Sequence, residues 1–367
     1  MMRDRPPFRA DMVGSLLRSP RLKEARKRFE EKAIAASELA AIEDEEIRAL
    51  IKKEEAVGLR AVTDGEYRRS FWHFDFLENL EGVEGYWMDH GIAFKGVATK
   101  PKGVRVTGKI GFPANHPHLN HFKFLAANTS RLPKMTIPSP SMLHYRGGRS
   151  AVDKNTYPDM EEYYHDLGLA YAAAVKAFYD AGCRYLQLDD TSLAYFCDPE
   201  QREMLKARGD DPDQLIHRYC DMINIATKSR PSDMTITTHT CRGNFRSTFI
   251  ASGGYEPVAD LVFNEIDVDG YFMEWDDERS GGFEPLRLLP KGKIVVLGLV
   301  TTKSGQLESA EDIKRRIEAA SRYTQLEQLC LSPQCGFAST EEGNILSEEE
   351  QWAKLAFIVK IAEEVWR

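Results

Sequence analysis

Eight short runs rich in Val, Ile, Leu and Thr recur along this sequence, at 8–15, 59–66, 134–139, 185–190, 234–241, 261–267, 294–300 and 329–335. Runs of that length and composition read as β-strands. Helical periodicity fills most of the intervals between them. In the segment from Met160 to Ala181, residues Leu167, Tyr171, Ala174, Val175 and Phe178 fall on one face, and Gly182 follows as a stop. Ser309 with Asp312, and Ser347 with Glu350, have the spacing of helix-opening caps. Strand and helix alternating in this way predict an α/β fold, and eight such units closing on themselves predict a single (β/α)8 TIM barrel across residues 1–367.

Two segments break the rhythm. Residues 20–57 are long and highly charged, which predicts more than one helix. Residues 92–112 alternate apolar and polar side chains around Gly96 and Gly103, which predicts a β-hairpin excursion over the barrel mouth after the second strand.

The charge balance narrows the function. A formal net charge of −8 with no basic cluster argues against nucleic acid as a partner. No run is long enough to span a bilayer, and the first residues lack an apolar signal-peptide core, so a soluble, cytoplasmic protein is expected. The six cysteines are too sparse for a disulfide framework and are candidates for metal ligands, nucleophiles or core residues.

The chemistry-bearing residues fall where the runs end, which in a barrel is the face that carries active sites. The first run ends in Val13-Gly14-Ser15, the second in Thr63-Asp64-Gly65-Glu66, the fourth in Gln187-Leu188-Asp189-Asp190, the fifth in His239-Thr240-Cys241, the sixth in Asn264-Glu265-Ile266-Asp267, and the eighth in Cys335-Gly336. His239 and Cys241 are two apart on a strand, so they share a face and offer an imidazole and a thiolate to Zn2+. Cys335 can add a second sulfur and Glu265 an oxygen. The alternative is that His239 and Cys241 simply line the barrel core. Glu66, Asp189 and Asp190 either bind a substrate ammonium and move protons or form salt bridges with Arg18, Arg68 or Arg69. Trp72-His73-Phe74 follows the second run, where His73 either shapes a pocket or is structural; His116, His118 and His121 read as a solvated loop.

Together these motifs, with Asp260-Leu261-Val262-Phe263-Asn264-Glu265 and Ser332-Pro333-Gln334-Cys335-Gly336, resemble the catalytic C-terminal domain of cobalamin-independent methionine synthase and its stand-alone relatives over nearly the whole chain. The resemblance implies methyl transfer to the thiol of homocysteine. It implies zinc held by His239, Cys241, Glu265 and Cys335, the homocysteine ammonium held by Glu66 and Asp189, and its carboxylate held at Gly14 and Ser15. Three features depart from the family. Its full-length enzymes carry an additional N-terminal half; Lys303 stands where they have a proton-handling histidine; and their folate-facing tryptophan has no counterpart near Met135 to Met142. Asp189 and Lys303 are therefore the catalytic candidates, and the methyl donor is left as a folate, methylcobalamin or another methylated compound. Zinc-dependent alkyl transfer to another thiol, as in coenzyme M transferases, a metal-free decarboxylase on the related uroporphyrinogen decarboxylase barrel, and a non-catalytic zinc and sulfur-amino-acid binding protein are the rival expectations.

Overall fold

Six parallel strands run in register around most of a ring in this computed structural model, which describes residues 2–89, 93–94, 97–98 and 100–367. In spatial order they are Met135–Pro138, Tyr185–Asp190, Thr235–Thr240, Gly270–Glu274, Ile294–Val300 and Leu329–Pro333. Beyond Leu329–Pro333 the ring continues through Ala10, which bridges Leu331 in parallel. On the other side, Ala61–Val62 pairs in parallel with Leu132–Pro133, immediately before Met135. The Leu16 N–H donates to the Gly65 carbonyl at 3.1 Å and joins the first and second segments. Neighbouring strands are therefore sequential and parallel all round, the arrangement of a (β/α)8 barrel.

These strands lie buried on both faces, so they lack the polar–apolar alternation of a half-exposed sheet. The interior cluster of Val13, Phe272, Ile294, Val296 and Cys330 comes from four of the eight positions around the ring. The helices cover the outside. Met160–Asp180 opens on Asp159, whose carboxylate accepts from the Glu161 N–H at 2.9 Å, and buries Leu167, Tyr171, Ala174, Val175 and Phe178. The charged stretch before the second strand forms two helices, Pro20–Glu30 and Ala36–Val57. The excursion after the second strand pairs Glu81–Trp87 with Lys102–Gly111 in antiparallel, so it begins earlier than the alternation at 92–112 suggested. Ala93–Phe94 and Val97–Ala98 pair with each other, and the expected turn at Gly96 falls outside the described residues.

Two expectations fail. The sixth strand is Gly270–Glu274, whereas the run at 261–267 contributes a helix, Ala259–Asn264, with Ala259, Val262 and Phe263 buried at helical spacing. His116 and His118 are not solvated: both are about 1 % exposed, and His116 caps the helix Pro117–Ala127 while packing against Phe76 and Phe112. Among the described residues, no helix is long and apolar enough to cross a membrane.

Candidate active site

The strand register brings the functional residues together. Asp189 lies beside His239, and His239 beside Phe272, on three adjacent strands. His239 and Cys241 are joined by Cys335, just past the eighth strand, and by Glu274, the last residue of the sixth. One ligand atom from each of His239, Cys241, Glu274 and Cys335 lies within 4.8 Å of all the others, and all four residues are buried. The two sulfurs are 3.4 Å apart, and all six cysteines are free.

The donor set fits zinc. His239 Nδ1 faces the Phe272 carbonyl at 3.3 Å, while Nε2 is buried with no hydrogen-bond partner and turned to the cluster. A metal-bound imidazole is oriented in this way, its second nitrogen fixed by a backbone oxygen. Glu274 is oriented as firmly: Oε1 accepts from the Arg242 N–H at 2.9 Å and from Asn244 at 2.6 Å, and Oε2 accepts from Arg279 at 2.9 Å and Gln334 at 3.1 Å. Burial, with the nearby Cys241, pushes the Glu274 carboxyl up to about 7. The hydrogen bond from Cys335 and the adjacent His239 favour a thiolate at Cys241.

Glu265 does not join this cluster. It follows the outer helix Ala259–Asn264, exposed, with Oε2 at 2.9 Å from His217 Nδ1. The oxygen expected from position 265 comes from Glu274 instead. The cause is the shifted sixth strand: the apolar run Leu261-Val262-Phe263 has the composition of a strand but forms a helix, while the strand itself is only five residues long and opens on a glycine. A short buried run ending in a charged residue, Tyr271-Phe272-Met273-Glu274, was the signal available.

Above the cluster opens a small cavity of about 50 Å3, lined by Ser15, Glu66, Asp189, His239, Cys241 and Cys335 among others. Glu66 sits at φ +59°, in the left-handed region, after Gly65 at φ +64°. Its Oε1 accepts from the Thr136 hydroxyl at 2.8 Å and lies 3.3 Å from Arg69, whereas Oε2 is buried without a partner. One oxygen is therefore in a salt bridge, and the other is an unpartnered acceptor. Asp189 Oδ1 accepts from Gln187 at 2.7 Å; burial, with Glu66 adding, pushes its carboxyl up to about 7 against the pull of His239. Gly14 needs its lack of a side chain: φ is +149°, and a Cβ would lie 2.6 Å from Thr136 Cγ2. Gly336 likewise admits Ser15, whose Oγ would be 1.9 Å from an added Cβ.

Asp190 has a structural role, accepting from the Ser141 and Ser192 hydroxyls and from the Leu193 N–H. Lys303 does not line the cavity. It is tied to Asp276 and Gln334, and Gln334 in turn donates to Glu274, so Lys303 reaches the cluster only through another side chain. The upper wall contains Phe71, Trp72, His73, Arg146, Tyr195 and Phe245. Arg146, Tyr195 and Phe245 carried no sequence signal, because each sits in a connection whose path the strand pattern does not fix. Phe71 is bridged to Thr340, and the Trp72 N–H donates to the Ser339 carbonyl at 2.9 Å, so the connections after the second and eighth strands are stitched together over the cavity.

The chain is similar to several known proteins. The family described as cobalamin-independent synthase, catalytic domain, matches residues 127–364. An uncharacterized protein of Bacillus subtilis, YxjH, is 53% identical, with 98% of this chain and 95% of that protein aligned. A crystal structure of a putative vitamin-B12 independent methionine synthase from Listeria monocytogenes is 43% identical, covers 98% of both chains and superposes with a TM-score of 0.80. The 5-methyltetrahydropteroyltriglutamate–homocysteine methyltransferase of Bacillus velezensis is 22% identical over 96% of this chain, which spans 42% of that protein's length. Over residues 127–364, which carry all four members of the buried cluster, the chain belongs to the family of the cobalamin-independent synthase catalytic domain.

Proposed function

We propose that this chain is a zinc-dependent methyltransferase that methylates the thiol of homocysteine to form methionine. The observation that carries the reading is the buried His239–Cys241–Glu274–Cys335 cluster at the floor of a cavity that also holds Glu66 and Asp189. His239 Nε2, the two thiols and a Glu274 oxygen are the groups that would hold the metal. Zinc bound there supplies a Lewis acid that keeps a thiol deprotonated at neutral pH. The name of the Bacillus velezensis relative, which acts on homocysteine, points the same way.

The residues of the chain then divide the work. Glu66 Oε2, buried and vacant, accepts from the substrate ammonium, with Asp189 as its second carboxylate. The turn at Gly14 and Ser15 receives the substrate carboxylate. Phe71, Trp72 and Phe245 exclude water from the reacting atoms. In the transfer, the S–CH3 bond forms as the bond between the methyl carbon and its donor breaks. Asp189 is the carboxyl on the cavity wall able to exchange the thiol's proton. Lys303 acts as a positioning residue, holding Gln334 against Glu274.

The test is a donor panel. Zinc-loaded protein is incubated with homocysteine and, in turn, methyl-folate mono- and polyglutamates, methylcobalamin and S-methylated sulfur compounds, and methionine is followed by mass spectrometry. Methionine formation that disappears in Cys241→Ser is the expected outcome. Failure with every donor, accompanied by methylation of a different thiol, would replace homocysteine as the acceptor.

A further inference from the structure

The cavity is chemically two-sided. Its floor carries the thiols and the carboxylates of Glu66 and Asp189; its upper wall is aromatic and carries a guanidinium, Arg146. Arg146 forms no ion pair among the described residues, and its Nε is buried without a hydrogen-bond partner. Of the other arginines close to the site, Arg69 faces Glu66, Arg279 faces Glu274 and Asp276, and the buried Arg242 lies over the Tyr255 ring. Beside Arg146 lie the Tyr195 hydroxyl and the imidazole of His73. His73 is about 2 % exposed, both ring nitrogens are buried without partners, and its ring lies tilted against Trp72 with centroids 4.4 Å apart.

The half-buried Arg146 guanidinium therefore has no carboxylate to neutralise it, and the buried His73 imidazole forfeits its hydrogen bonds unless a ligand in the cavity supplies them. Arginine matches the planar oxyanions of carboxylates and the tetrahedral ones of phosphates or sulfonates. His73 and Arg146 come from further along the connections after the second and third strands than Glu66 and Asp189, which are assigned to the acceptor, so the anion is given to the other reactant.

We propose that Arg146 and His73 form an anion-binding subsite in the upper wall, and that its ligand is an anionic group of the methyl donor. The assignment to the donor rests on the methyl-transfer reading; the anion site itself does not. A donor thus enters with its anion against Arg146, one face on Trp72 and its methyl group directed to the floor.

The experiment measures sulfate binding, as the probe anion, and homocysteine binding by calorimetry on zinc-loaded protein at constant ionic strength. Wild type is compared with Arg146→Gln, Arg146→Lys and His73→Ala, with melting temperatures to confirm folding. Arg146→Gln is expected to weaken sulfate at least about tenfold, as for loss of a hydrogen bond to a charged group, with Arg146→Lys in between. Homocysteine affinity stays unchanged, and the KM of the most active anionic donor rises by a similar factor with little change in kcat. Equal sulfate affinity in wild type and Arg146→Gln overturns the subsite. A parallel loss of homocysteine affinity overturns the assignment to the donor and gives the anion to the acceptor's carboxylate. Arg146-dependent sulfate binding in a protein that methylates nothing would support the subsite and overturn only the methyl-transfer reading.

Discussion

Glu66 concentrates the physical demands of the proposed site in one residue: a left-handed backbone, a buried carboxylate, one oxygen engaged and one vacant. Non-glycine residues held in that region cost of order 1–3 kcal/mol and persist where the surroundings impose them. Here the Asp64 carboxylate accepts from the Glu66 N–H at 2.9 Å, and the Arg18 guanidinium donates to the Glu66 carbonyl at 2.7 Å. Glu66→Gln keeps the shape and the Thr136 hydrogen bond but removes the charge. It should weaken homocysteine binding about tenfold or more while zinc content stays normal, as calorimetry and elemental analysis will show. Unchanged affinity would leave Glu66 as a partner of Arg69 alone. Glu54 offers a second test, away from the cavity. It is fully buried, its Oε2 has no partner, and burial holds its carboxyl well above the usual range. A carboxyl raised in the folded state contributes stability that is full below its unfolded value and is lost as pH rises through its folded value. Wild type should therefore melt lower as pH rises from about 4.5 upward. Glu54→Gln should lose that part of the slope and melt higher at alkaline pH; identical pH profiles would show that Glu54 is ionised without penalty.

At the level of the elements, local signals were strongest where a helix begins. Ser347 and Glu350 form the reciprocal cap the spacing announced, with the Ser347 hydroxyl accepting from the Glu350 N–H at 3.2 Å and Glu350 accepting from the Ser347 N–H at 2.8 Å. Ser347→Ala should cost about 1 kcal/mol of stability in a denaturant titration, with the denaturant sensitivity unchanged. The strands were legible where they are β-rich and end in polar residues, as at Tyr185–Asp190 and Thr235–Thr240. Gly270–Glu274 was not, because a five-residue buried strand has no alternation to display, and the preceding Leu261-Val262-Phe263 run imitates one. With the strand at Gly270–Glu274, the carboxylate of the cluster is Glu274 and not Glu265. Arg146 and the buried His116 and His118 were not legible either, since burial of a residue outside the strands depends on packing across the chain.

For the whole molecule, the barrel's purpose in this reading is to bring groups far apart in sequence, from Ser15 to Cys335, around one small volume. A ligand that binds only the folded form stabilises it by mass action. Zinc added to metal-stripped protein should therefore raise the melting temperature of wild type, and much less that of Cys241→Ser. Equal shifts would point to adventitious metal elsewhere. The most direct measurement is zinc per chain by elemental analysis in wild type, Cys241→Ser, Cys335→Ser, Glu274→Ala and Glu265→Ala. The predicted result is about one zinc in wild type and in Glu265→Ala, a strong loss in both cysteine variants, and a reduced content in Glu274→Ala. Full zinc in both Cys241→Ser and Cys335→Ser would contradict the assignment of the cluster as the metal centre.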